Sequence, residues 1–151
     1  MADKRVSEQD ASVGAWAKRC YLAARMAMEG VLRPYGLGAT QWYVLYQLAH
    51  NGPTMQRELQ RILQVERATL SAVVGALTRK GLVEQVVDRV DQRQKQLRLT
   101  REGTRLWGEL PDLSRISTVA FDGIDAADIA TTARVLRIAT ERLENLTHEK
   151  E

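Results

Sequence analysis

The sequence predicts a mainly α-helical fold with a small β-wing of two to three strands. Three observations carry that reading. Apolar residues recur at spacings of three and four over most of the chain, two short runs past its midpoint suit strands instead, and helical spacing then resumes. At 151 residues and 44% hydrophobic content, the chain suffices for one globular domain, 1–151, with a real core.

Residues 1–12 are polar and are expected to fray. From Val13 to about Leu32, Trp16, Cys20, Ala23, Ala27 and Val31 form one helical stripe. Pro34 forces the chain out of helix, and Gly36 and Gly38 loosen it further. A second helix is expected over Ala39–Ala49, with Trp42, Leu45 and Ala49 on one face, ending at Asn51-Gly52-Pro53. Thr54 is the expected N-cap of a short third helix whose apolar face is Met55, Leu59, Ile62 and Leu63. A fourth helix spans Glu66–Lys80, with Leu70, Val73, Val74 and Leu77 inward and Gly81 as its stop. Strands follow at Leu82–Val87 and Gln94–Thr100, joined by the charged turn Asp88–Arg93. Beyond them, Leu106, Leu110, Leu113 and Ile116 make one stripe, and Asp125 opens a last helix carrying Ile129, Leu136, Leu143 and Leu146.

Three helices followed by a hairpin is the layout of a winged helix-turn-helix, with a lobe at about 36–103. The helices outside it, at about 10–33 and 104–148, have no such lobe to cover them, so they read as N- and C-terminal dimerisation helices in a homodimer.

Charge is unevenly spread. Residues 54–105 carry 11 Lys/Arg against 6 Asp/Glu, whereas residues 106–151 carry 5 against 9. Basic charge in the middle of the chain suits a polyanion-binding module, and a solvated basic surface has the same composition. No uncharged apolar run approaches 18 residues and the N-terminus lacks an apolar stretch, so a cytoplasmic protein without membrane contact is expected. One cysteine and two histidines leave no disulfide framework and no zinc site. No Ser-His-Asp set or phosphate loop is present, so no catalytic residue, metal or cofactor is expected, and the protein does not read as an enzyme.

The outward face of the fourth helix is Arg67, Ala68, Thr69, Ser71, Ala72, Gly75, Ala76, Thr78 and Arg79. Small side chains let a helix backbone approach another surface, hydroxyls bond base edges, and methyl groups meet thymine methyls. A packed helix–helix contact would have the same composition. Arg67 lies at the end from which recognition helices reach bases, and Arg79 lies near a passing phosphate. In the turn, Arg89 and Arg93 flank Asp91; an arginine at a wing tip suits a narrow minor groove, and Asp91 suits a partner that orients one. An ordinary polar hairpin also fits.

The chain resembles the MarR (multiple antibiotic resistance regulator) family. The matching stretches are Gly36-Leu37-Gly38-Ala39-Thr40-Gln41-Trp42, Leu77-Thr78-Arg79-Lys80-Gly81-Leu82-Val83, Asp91-Gln92-Arg93 and Leu99-Thr100-Arg101-Glu102-Gly103. The resemblance covers nearly the whole chain after residue 12. It implies a homodimeric regulator on a palindromic double-stranded DNA operator, with Arg93 in the minor groove and steric repression as the usual mode. It also implies a small-molecule pocket between the dimerisation helices and the DNA-binding lobe. Two departures stand out: Gly38 replaces a side-chain cap, and Ala72 and Ala76 replace polar or basic residues on the recognition face.

Trp16 and Arg19 facing Trp42 and Tyr43, with Cys20, Met26 and Tyr46 nearby, would suit a small aromatic or phenolic acid; the same residues also fit a plain core and surface. One branch of the family senses organic hydroperoxides through a cysteine in the first helix. Cys20, in a small and apolar stripe, is expected to be buried and inert. A winged helix that docks proteins rather than DNA is the remaining alternative.

Overall fold

A computed structural model describes residues 3–87, 90, 91 and 95–148, with side chains from residue 12 onward. It has seven α-helices and three strands among these residues. They form two compact units, 1–112 and 113–151, each described separately below.

Helix α1 spans Asp3–Leu32, so the polar stretch expected to fray continues the helix. No Gly or Pro interrupts that stretch, and Glu, Gln, Lys and Ala favour helix without any apolar period. Pro34 turns the chain into a 3-10 segment, Arg33–Tyr35, which Gly36 closes with φ +68. Helix α2, Ala39–Asn51, then starts from an extended Gly38. Gly38 offers no side chain, but Gln41 Oε1 accepts its N–H at 3.3 Å, so half of a capping box survives.

Thr54 does not cap the third helix. Thr54–Met55 is a strand, β1, and the Thr54 hydroxyl donates to Gly52 O at 2.9 Å. Helix α3, Gln56–Leu63, begins after Met55 without a side-chain cap. Gln64, with φ +54, makes the turn toward α4, Arg67–Arg79. Strands β2, Val83–Val87, and β3, Lys95–Leu99, pair antiparallel, with Val83 opposite Leu99 and Val87 opposite Lys95. β1 pairs with the other edge of β3, giving the order β1-β3-β2. The wing therefore rests on a third strand too short to announce itself by alternation.

The core gathers Val44, Leu45 and Leu48 of α2, Leu59 of α3, Leu70, Val74 and Leu77 of α4, and Val83 and Leu97 of the sheet, all buried. Each helix of the lobe thus commits one face inward. Val73, expected among the inward residues, is only half-buried.

The junction between wing and next helix is tightly specified. Helix α5, Arg101–Glu109, is capped by Thr100, whose hydroxyl oxygen accepts the Gly103 N–H at 3.0 Å. That hydroxyl also donates to Gly81 O at 2.6 Å, and Thr100 N–H donates to Leu82 O at 3.0 Å. Gly103 is buried against this turn: a Cβ there would lie 2.0 Å from Leu82 O. In the first turn of α5 the Arg105 side chain, bonding Glu102, holds its carboxyl below the usual carboxylate range.

The stripe Leu106–Ile116 is not one helix. Leu110 is extended (φ −66, ψ 143) because Pro111 follows it. The second unit holds α6, Ser114–Phe121, and α7, Ala126–His148. Asp125 caps α7 as expected, its Oδ1 accepting Ala127 N–H at 2.7 Å. No described residue of this unit is fully buried, and Val119, Leu143 and Leu146 are exposed.

Candidate nucleic-acid interface

Helix α4 separates two chemistries by face. Leu70, Val74 and Leu77 are buried, while Arg67, Ala68, Thr69, Ser71, Ala72, Thr78 and Arg79 are exposed. Gly75 and Ala76 are half-buried at the edge of that surface. The exposed face carries no acidic side chain and no bulky apolar one. Arg79 folds back along the helix, with one guanidinium nitrogen 3.4 Å from where a Cβ on Gly75 would lie.

Three features here escaped the sequence. Gln56, the first residue of α3, donates through Nε2 to Ser71 Oγ at 3.4 Å. Gln85 of β2 donates to Gln56 Oε1 at 3.3 Å, so one amide links α3, α4 and the wing strand. Lys80, at the C-terminal end of α4, bonds Gly36 O and, at 2.9 Å, Gln41 Oε1. It ties the end of α4 to the α1–α2 connector and the first turn of α2. These polar residues sit on no apolar period, and only the tertiary fold brings positions 56, 71 and 85 together.

The wing base is braced by Arg98, which bonds Glu84 at 2.6 Å across the β2–β3 register. Arg89 and Arg93 lie outside the described residues, and Asp91 is half-buried.

The residues expected to form one ligand pocket fall into two groups. On α1, Arg19 stacks on Trp16, 5.1 Å from the ring centroid, and Trp16 is 63% exposed. On α2, Trp42 contacts Tyr43, Tyr46 and the unforeseen Trp107 of α5, with ring centroids 5.2, 5.1 and 5.7 Å away. His50 stacks on Tyr46 at 4.1 Å. Helices α1 and α2 meet lower down, where Tyr43 Oη donates to Met28 Sδ at 3.5 Å and Arg25 donates to Thr40 Oγ1 at 3.1 Å. Met28 lies twelve residues beyond Trp16, about 18 Å along the helix. One chain therefore does not bring Trp16 and Arg19 to Trp42 and Tyr43. An open hollow of about 310 Å³ lies instead between Leu48, Pro53, Arg98 and Trp107. Cys20, expected to be buried, is exposed, as α1 bonds α2 farther along, at Arg25 and Met28. Among the described residues no His/Cys/Asp/Glu group is placed to hold a metal, and no helix is long and apolar enough to cross a membrane.

A helix–turn–helix formed by α3 and α4, with the second helix bare and small on its outer face and a β-hairpin behind it, is the layout of a winged helix, a fold many DNA-binding proteins use. Comparison with known proteins agrees. Residues 35–94 match the model of the MarR family. The HTH-type transcriptional regulator YwoH of Bacillus subtilis is 36% identical over 89 residues, 59% of this chain and 64% of that protein. The match therefore spans a little under two thirds of that relative. The HTH-type transcriptional repressor IacR of Pseudomonas putida is 25% identical over 132 residues, 87% of this chain and 79% of that protein. Among solved structures, Bordetella bronchiseptica BpsR, whose DNA binding is regulated by 6-hydroxynicotinic acid, superposes with a TM-score of 0.74 at 23% identity, covering 85% of this chain and 98% of that one. The MarR family model thus covers the helix-turn-helix and the start of the wing, and YwoH and IacR are both named as HTH-type transcriptional regulators.

Proposed function

We propose that this protein is a cytoplasmic repressor that binds a palindromic DNA operator as a homodimer and is released by a small aromatic or phenolic acid. The observation that carries the DNA reading is the outer face of α4, exposed at Arg67, Ala68, Thr69, Ser71, Ala72, Thr78 and Arg79. Residues Arg67, Ala68, Thr69, Ser71 and Ala72 face the major groove in this reading. Arg79 neutralises backbone charge, and the wing with Arg89, Asp91 and Arg93 follows the minor groove. A two-fold dimer sets its two α4 helices about 34–36 Å apart, one DNA turn. The exposed apolar residues on α1 and α7, among them Trp16, Leu22, Met26, Leu143 and Leu146, supply the surface such a dimer covers.

The effector reading rests on aromatic surface beside a cation. Trp42, Tyr43 and Trp107 form one wall, and the Trp16–Arg19 stack forms the other. Since one chain holds them apart, we assign the pocket to the dimer, with the two walls contributed by different copies. The ligand of BpsR is itself an aromatic acid, which supports the chemical class. A ligand that favours a helix spacing unfit for DNA lowers operator affinity in proportion to its preference for that form. Operator release is therefore expected on titration with benzoate-like, hydroxycinnamate-like and hydroxynicotinate-like acids. Arg19→Ala should raise the effector concentration needed by about tenfold or more, the worth of a charge-assisted contact. An identical response in the variant removes Arg19 from the pocket. The exposure of Cys20 favours one second reading: release by an organic hydroperoxide that Cys20→Ser abolishes would replace the acid.

A further inference from the structure

We infer that Gln56 sets the polarity with which Ser71 reads a base, making it a specificity-determining residue that need not touch DNA. This rests on the proposed role of α4 as the recognition helix.

Serine and threonine hydroxyls in helices commonly give their proton to the carbonyl four residues back. In this chain Thr78 does so to Val74, Thr104 to Thr100, Thr132 to Asp128 and Thr140 to Leu136, at 2.8, 3.0, 2.8 and 2.8 Å. Ser71 does not. Its bond among the described residues is the one it accepts from Gln56 Nε2 at 3.4 Å. An oxygen that accepts an amide N–H must turn its own proton elsewhere. On exposed Ser71 that leaves the proton available to solvent or to a bound base.

The amide itself is oriented. Gln85 Nε2 donates to Gln56 Oε1 at 3.3 Å, so the carbonyl end of the amide is taken up by the wing strand and the amino end faces Ser71. The relay Gln85→Gln56→Ser71 thus points hydrogen-bond donors in one direction, ending in a hydroxyl proton offered to solvent or DNA. A donor in the major groove finds acceptors on guanine (N7, O6), adenine (N7) and thymine (O4), whereas cytosine presents its N4 amino donor. Ser71 should therefore disfavour cytosine at one position of each half-site.

Selection from randomised duplexes tests this, with Gln56→Met and Gln56→Glu beside the wild type and Ser71→Ala. Wild type is expected to disfavour cytosine at one symmetric position by about three- to tenfold, the range of one hydrogen bond. Gln56→Met, of similar volume, frees the hydroxyl and should level that position while the rest of the consensus and the thermal midpoint hold. Gln56→Glu turns the neighbour into an acceptor and should draw the Ser71 proton inward, moving preference toward cytosine or adenine. Ser71→Ala should level the same position and leave Gln56→Met nothing further to change there, the sign of coupled residues. If Ser71→Ala changes that position and both Gln56 variants keep the wild-type preference, the relay is refuted while the recognition-helix reading stands. If Ser71→Ala changes no position, that part of the recognition-helix reading fails, and the relay with it.

Discussion

Gly103→Ala is expected to destabilise the winged-helix lobe by about 3 kcal/mol or more, as overpacking against a fixed backbone does. The new methyl carbon would lie 2.0 Å from Leu82 O, and that carbonyl is held in place by Thr100 N–H at 3.0 Å. Leu82 also closes the C-terminus of α4, its N–H bonding Leu77 O at 3.0 Å beside Gly81 with φ +72. Relief of the clash must therefore move either the end of α4 or the start of α5. DNA binding should fall with stability. Gly108→Ala is the matched control: it lies on the same helix with nothing within 4 Å of its Cβ position, and it should be neutral or stabilising by up to about 1 kcal/mol. Urea unfolding followed by circular dichroism separates the two. Equal midpoints for both variants would remove Gly103 as a packing constraint.

The second large effect is on binding alone. Ala72→Glu should leave the fold intact, because residue 72 is exposed and Glu is a good helix former. On DNA it places a bulky anion where the backbone must approach phosphates and base edges, and a like-charge juxtaposition at an interface costs several kcal/mol. Operator affinity is expected to drop by at least about a hundredfold, read by fluorescence anisotropy. Glu at this position with unchanged affinity would show that the face of α4 points away from DNA.

Much of the lobe was legible because it follows from local chemistry. The inward set Leu70, Val74 and Leu77 and the stop at Gly81, like the cap at Asp125 in the second unit, are periodicities or single-residue preferences. Failures arose where tertiary pairing overruled a local signal. Thr54 looks like a cap, but β3 recruits it into a strand opposite Leu97. The stripe through Leu106 and Ile116 keeps helical spacing across Pro111, which breaks the helix regardless. On the site, residue type on a helix face identified the small surface of α4. Sequence alone had no means of finding the Gln56–Ser71–Gln85 relay or the Lys80 tether, since each joins residues distant in the chain. The Thr100 and Gly103 run was visible as a family feature, and the geometry supplies its reason: it docks α5 onto the turn that ends α4.

If α4 enters the major groove of a DNA duplex while basic side chains of the lobe neutralise phosphates, binding must depend steeply on salt. The most direct measurement is the affinity for duplex DNA from the protein's own promoter region, titrated between 50 and 200 mM salt. Release of counterions makes log K fall linearly with log salt, with a slope of about −0.9 for each phosphate neutralised. Tight binding to one palindromic site with a slope of several units is expected, and much weaker binding to unrelated duplexes. Flat salt dependence, or no duplex bound at 50 mM salt by the folded protein, would contradict entry of α4 into the groove and leave the winged helix as a surface for docking another protein.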